Sequence, residues 1–144
     1  MSFIGLYQHT IDAKNRICLP AKVKATLDQA SKLYLTIGVE GNIEVYLPAA
    51  FEAYMNKIAN LPNNNANARK FVRFVTSNSY SVDIDSSNRI LVPQPLVEKA
   101  KLSKDIYIIG NINKYEIWNK AQYDEYILDA SDSLDDLVKD FDGF

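Results

Sequence analysis

The chain has 144 residues, 47% of them hydrophobic and 11% aromatic, enough for one compact domain or two small halves sharing a core. Its apolar runs fall far short of the ~20 residues that span a bilayer, no basic and apolar leader opens it, and one cysteine excludes an internal disulfide or a cysteine metal cluster. A cytoplasmic protein with no membrane partner is predicted. The net charge of −2 conceals a segregation: residues 121–144 carry eight acids and one base, so residues 1–120 hold a surplus of +5, a pattern of proteins that meet polyanions.

In chain order, Phe3–Ile11 is a β-prone run that places the only histidine, His9, half-buried in a strand, with no second histidine for a metal pair. Asp12-Ala13-Lys14-Asn15 forms a turn with Asn15 late in it, where a left-handed residue is often needed and Asn is tolerated nearly as well as Gly. Arg16-Ile17-Cys18-Leu19 then reads as a strand in which Cys18 is expected to be a small buried hydrophobe, ended by Pro20. A short helix follows, with Val23, Leu27 and Ala30 on one face. Strands over Leu33–Ile37 and Ile43–Leu47 are joined through Glu40-Gly41-Asn42, a hairpin signal. Leu47, Phe51, Met55 and Ile58 keep helical spacing up to Asn60-Leu61-Pro62. Asn63-Asn64-Asn65 supplies caps for a further helix with Phe71, Val72 and Val75 on one side and Arg69, Lys70 and Arg73 on the other.

From Tyr80 the pattern starts again. Ile84-Asp85-Ser86-Ser87-Asn88-Arg89-Ile90-Leu91-Val92-Pro93 repeats Ile11–Pro20 at a displacement of 73 residues. Asp105–Gly110 repeats the third strand, Tyr115–Trp118 the fourth, and Tyr123 and Tyr126 align with Phe51 and Tyr54. A repeat of this period is one supersecondary unit used twice. The units are expected at residues 5–48 and 77–120, with helices over 49–76 and a C-terminal helix and acidic tail over 121–144. Beyond Tyr126 and Ile127 the tail is either disordered or a short acidic helix that docks weakly. Apolar positions recur to rebuild a core, whereas recurrence of Asp12/Asp85, Asn15/Asn88 and Arg16/Arg89 indicates a shared task.

On these residues the chain resembles the MraZ family, relatives of the SpoVT/AbrB-like DNA-binding domains. The matching positions are Tyr7-x-His9-Thr10-x-Asp12, Asp12-x-x-x-Arg16, Pro20-Ala21-Lys22, Asp85-x-x-x-Arg89-Ile90-Leu91-Val92-Pro93 and Glu116-Ile117-Trp118, and the resemblance covers residues 1–126. Two departures stand out. Asn15 and Asn88 replace the glycine the family usually has before each arginine, and Ser86-Ser87 leave the second turn less basic than Ala13-Lys14 leave the first. The resemblance implies an α+β fold, a pseudo-twofold β-barrel from two tandem βββα repeats with helices between and after them. It also implies a ring-shaped homo-oligomer that binds double-stranded DNA. Such proteins are nucleoid-associated regulators of transcription, acting at repeated boxes upstream of the division and cell-wall gene cluster.

Chemistry assigns the individual residues. A guanidinium fork suits phosphate oxygens and guanine edges, so Arg16 and Arg89 are the expected DNA contacts, with Lys14 and Lys22 adding positive charge. A carboxylate is a poor phosphate contact, so Asp12, Asp85, Asn15 and Asn88 are expected to structure the loops. Arg69, Lys70 and Arg73 either extend the DNA surface, form a solvated helix face or contact a neighbouring protomer's acids. Tyr34, Tyr46, Tyr54, Tyr107, Tyr115 and Trp118 are assigned to core and subunit interface. An enzyme is not expected: paired aspartates need Asp-Thr/Ser-Gly for aspartic-protease chemistry, and Asp12-Ala13-Lys14 and Asp85-Ser86-Ser87 lack it. No P-loop or dinucleotide fingerprint is present, and no cofactor or metal is predicted. The alternative is an oligomeric protein-interaction scaffold.

Overall fold

The strands of the two repeats exchange partners. A computed structural model describes residues 2–144, the side chains of 129–132 excepted. The first repeat runs β1 (Leu6–Thr10), β2 (Arg16–Cys18), α1 (Ala21–Ala25), β3 (Lys32–Ile37), β4 (Ile43–Tyr46) and α2 (Pro48–Ala59), followed by α3 (Ala66–Ser77). The second runs β5 (Tyr80–Asp83), β6 (Arg89–Leu91), α4 (Gln94–Lys99), β7 (Asp105–Asn111), β8 (Lys114–Asn119) and α5 (Lys120–Asp132), followed by α6 (Leu134–Val138). Each repeat therefore has the four strands that its residue pattern predicts, one more than the three the resemblance implied.

Local chemistry accounts for the boundaries. Pro48 occupies the first turn of α2, where its missing N–H costs nothing. Asn65 caps α3 by accepting the Ala68 amide at 3.0 Å, an interaction of about 0.5–2 kcal/mol. Between β3 and β4, Gly41 takes φ of 86° and the Gly38 amide donates to Asn42 at 2.7 Å, closing the hairpin.

Six strands form one antiparallel sheet in the order β1-β7-β8-β4-β3-β5. β1 pairs with β7 of the other repeat, as β5 pairs with β3. At the centre β4 meets β8 with Glu44 opposite Glu116. Exchanging the repeats carries each of these pairings onto another or onto itself. β2 and β6 form a separate two-stranded ribbon in which Ile17 faces Ile90.

The core lies between one face of the sheet and the ribbon with α1 and α4. Ile17, Val23, Leu27, Leu35, Ile43, Ile90, Leu96, Ile106 and Ile117 fill it. The outer face of the sheet carries two aromatic clusters. Phe51 of α2 stacks on Tyr34 and Tyr54 on Tyr46, with centroids 4.5 and 5.3 Å apart. In the second repeat, Tyr123 and Tyr126 of α5 sit 5.1 and 5.0 Å from Trp118.

Two expectations are corrected. The strands do not close into a barrel: β1 and β5 are edges of an open sheet, and the three-residue β2 pairs with β6 and otherwise makes only the isolated bridge of Ile17 to Ile11, just beyond the end of β1. Strands that short pair with one neighbour and leave no second ladder to complete a circuit. Cys18 is exposed rather than buried, because strand side chains alternate and Ile17 is the residue turned inward. The acidic segment is helical through α5 and α6, with Leu134 and Leu137 exposed.

Candidate nucleic-acid interface

Each Asp-x-x-x-Arg turn is organised by its carboxylate. Asp12 Oδ1 accepts the amides of Lys14 at 2.9 Å and Arg16 at 2.8 Å, while Oδ2 accepts Arg16 Nε at 2.9 Å. Asp85 does the same for Ser87 and Arg89 at 2.8 and 2.9 Å and for Arg89 Nε at 3.0 Å. These donors hold both carboxyl groups below the usual carboxylate range, the arginine amide being the main cause in each case. Backbone bonds close the turns: the Asn15 amide donates to Asp12 and the Asn88 amide to Asp85, both at 3.0 Å. Asn15 and Asn88 adopt φ of 63° and 59°, a left-handed region that costs most side chains energy and costs Asn little.

The ribbon joins the two turns. Arg16 pairs with Leu91 and Cys18 with Arg89. With Ile17 and Ile90 turned into the core, Arg16, Cys18, Arg89 and Leu91 occupy the outward face. Two residues along a strand at ~3.4 Å each and one strand spacing of ~4.8 Å set the arginine Cα atoms ~8 Å apart across a diagonal. Nε of each guanidinium is taken by its own aspartate, and no described residue engages the terminal nitrogens. The free ends of two oriented forks therefore project from one small surface.

Among the expected site residues, Asp12, Asn15, Arg16, Asp85, Asn88 and Arg89 are gathered here. Lys14 lies exposed in the first turn, and Lys22 lies exposed on α1, directly after the ribbon strand. Two neighbours escaped the sequence reading. Gln94 accepts a 2.6 Å bond from Asn15 Nδ2; repeat one has Ala21 at that place, so repetition carried no signal. Leu91, 57% exposed between the arginines, looked like an ordinary strand hydrophobe. Among the described residues no three His, Cys, Asp or Glu side chains come together as a metal-binding set, and no helix is long and apolar enough to cross a membrane.

Fold and site together define an α+β protein of two tandem repeats that presents paired Asp/Arg turns on a shared ribbon. The family model described as "MraZ protein, putative antitoxin-like" matches residues 2–74 and again 75–142, and the chain belongs to the MraZ family. A relative from Ureaplasma urealyticum is 47% identical over 95% of this chain and 94% of its own length. One from Clostridium acetobutylicum is 41% identical over 86% of each chain, and one from Pediococcus pentosaceus is 34% identical over 99% and 98%. Each is named a transcriptional regulator, MraZ, and none carries the name of an enzyme.

Proposed function

We propose that this protein is a sequence-specific DNA-binding regulator of transcription, acting as a ring-shaped homo-oligomer on repeated boxes upstream of the division and cell-wall gene cluster. The observation that carries the reading is the arginine pair on the outward face of the β2–β6 ribbon. A two-stranded ribbon fits the major groove, and an arginine's terminal nitrogens match guanine O6 and N7. The relatives' names supply the regulatory role.

In this reading the repeats at 5–48 and 77–120 are related by a pseudo-twofold axis between β2 and β6. Arg16 and Arg89 contact DNA, and Lys14 and Lys22 add phosphate contacts. Asp12, Asp85, Asn15 and Asn88 hold the arginines in place. The acidic tail within 121–144 restrains non-specific binding, and the protein resides on the nucleoid without cofactor or metal. A few phosphate contacts per protomer bind weakly; engagement of several boxes at once raises avidity by about 10²–10⁴, which couples assembly to function.

The test is a titration of the protein on the DNA upstream of its own gene at several salt concentrations. Arg16→Ala with Arg89→Ala abolishes box-specific binding and lowers the salt slope by about 1 per arginine, with folding and assembly retained. Unchanged affinity in the double variant refutes the contact assignment. Capture of protein partners by a chain without DNA affinity identifies the scaffold instead.

A further inference from the structure

The two halves of the β2–β6 ribbon carry equal arginines and unequal neighbours. Leu91 stands opposite Arg16, and Cys18 opposite Arg89. The Val92 amide donates to the Asn15 carbonyl at 2.8 Å, so the end of β6 that carries Leu91 lies against the turn of Arg16. At the other end the Leu19 amide donates to the Asn88 carbonyl, also at 2.8 Å, and Cys18 lies against the turn of Arg89. The Cys18 thiol there is 3.9 Å from the Ser87 carbonyl oxygen. Exchanging the repeats carries Arg16 onto Arg89 but Leu91 onto Cys18. The turn amides differ too. Asn15 donates to Gln94 at 2.6 Å, whereas repeat one has Ala21 at the place of Gln94, and no described residue bonds the Asn88 side chain.

A single exposed leucine needs no explanation by itself; the setting of Leu91 supplies one. Repeat one builds the same strand with Cys18 at this place, and Ile90 is the residue that fills the core, so packing of the ribbon does not call for a leucine here. Opposed side chains on paired strands begin ~4.5–5.5 Å apart, and successive bases along a DNA strand rise by ~3.4 Å. The base pair next to one met by the Arg16 fork is therefore within reach of Leu91. In the major groove the bases present hydrogen-bonding groups with one apolar exception, the C5-methyl group of thymine. A leucine that leaves water on binding gains nothing beside donors and acceptors and gains beside that methyl group.

We propose that Leu91 reads the methyl group of a thymine beside the guanine met by Arg16, and that Cys18 leaves the other half of the ribbon without this reading. The inference rests on the DNA contact proposed above and names a residue that sets its sequence preference. A ribbon with two equivalent arginines alone would accept a box in either direction. The difference between Leu91 and Cys18 makes one direction the better fit, so each protomer sits on its box one way round.

The experiment titrates the full chain on the DNA upstream of its own gene, with thymine replaced by deoxyuridine at one box position at a time. Deoxyuridine pairs with adenine as thymine does and lacks only the methyl group. At one position, next to a guanine, the replacement weakens wild-type binding by about fourfold per box, the value of one buried methyl group. Leu91→Ala binds the unmodified DNA more weakly and loses nothing further from deoxyuridine at that position. Cys18→Leu, which makes the two halves alike, acquires the same sensitivity at the mirror-related position once a thymine is placed there. Wild type that is insensitive at every position, or Leu91→Ala that stays sensitive, overturns the inference, and Cys18→Leu without the new sensitivity overturns its directional part. Binding unchanged in Arg16→Ala with Arg89→Ala refutes the DNA contact itself, whereas arginine-dependent binding with no methyl effect refutes only the role of Leu91. The wild-type comparison needs no variant, and melting temperatures check the fold of Leu91→Ala and Cys18→Leu, both at exposed positions.

Discussion

Asn15 and Asn88, 73 positions apart, each hold the other's loop. The Asn15 carbonyl accepts the Val92 amide at 2.8 Å, and the Asn88 carbonyl accepts the Leu19 amide at 2.8 Å. Both depend on positive φ, 63° and 59°. Asn15→Val and Asn88→Val each lower stability by about 1–3 kcal/mol, because a β-branched residue is strained there. Asn15→Gly and Asn88→Gly are tolerated. Denaturant midpoints check this, and Val variants as stable as wild type disprove the dependence.

Asp12 and Asp85 orient the arginines, so their removal is expected to act through Arg16 and Arg89. Asp12→Asn with Asp85→Asn replaces an oxygen that receives Nε by a group that also donates in one rotamer, freeing the fork. Specific DNA affinity falls while non-specific affinity, at two fewer negative charges, holds or rises. The native carboxyl groups titrate below their ordinary range. The bracing is therefore fully present above the unfolded carboxylate pKa and is lost as pH falls through the lower folded value. Specific binding in the Asn variants that equals wild type would count against the bracing role.

Glu44 behaves in the opposite sense. Burial raises its pKa, and the Glu116 carboxylate opposite it adds to the shift. The Tyr46 hydroxyl at 2.9 Å and Lys114 at 3.9 Å act against that rise. A carboxyl whose folded pKa lies above its unfolded value lowers stability as pH rises between the two. Glu44→Gln, which can still accept from Tyr46, flattens this alkaline-side loss. Melting temperatures from pH 4 upward report it, and parallel curves for variant and wild type contradict it.

The acidic segment is expected to restrain DNA binding. Residues 121–144 hold eight acids against one base, while the rest of the chain carries a surplus of +5. Deleting residues 134–144 raises non-specific affinity for a duplex too short for more than one protomer. The gain is largest at low salt, since screening acts over ~8 Å at physiological ionic strength. Affinity that is unchanged at every salt concentration dismisses the restraint.

The local elements and the membership of the two turns were legible in the sequence, because strand alternation, helical spacing, proline stops and the left-handed demand on Asn15 and Asn88 are all short-range properties. Repetition at 73 residues added which polar positions serve a common purpose, and so singled out Asp12, Arg16, Asp85 and Arg89 before any fold was known. Tertiary structure decided who pairs with whom. β1 joins β7 and β5 joins β3, contacts across some 50 to 100 residues whose choice depends on burying both faces of the sheet together. It also decided that β2 and β6 form a ribbon outside an open sheet, which turns Ile17 inward and Cys18 outward and brings the two arginines onto one face. No period in the chain encodes these, because packing between distant segments depends on their joint geometry.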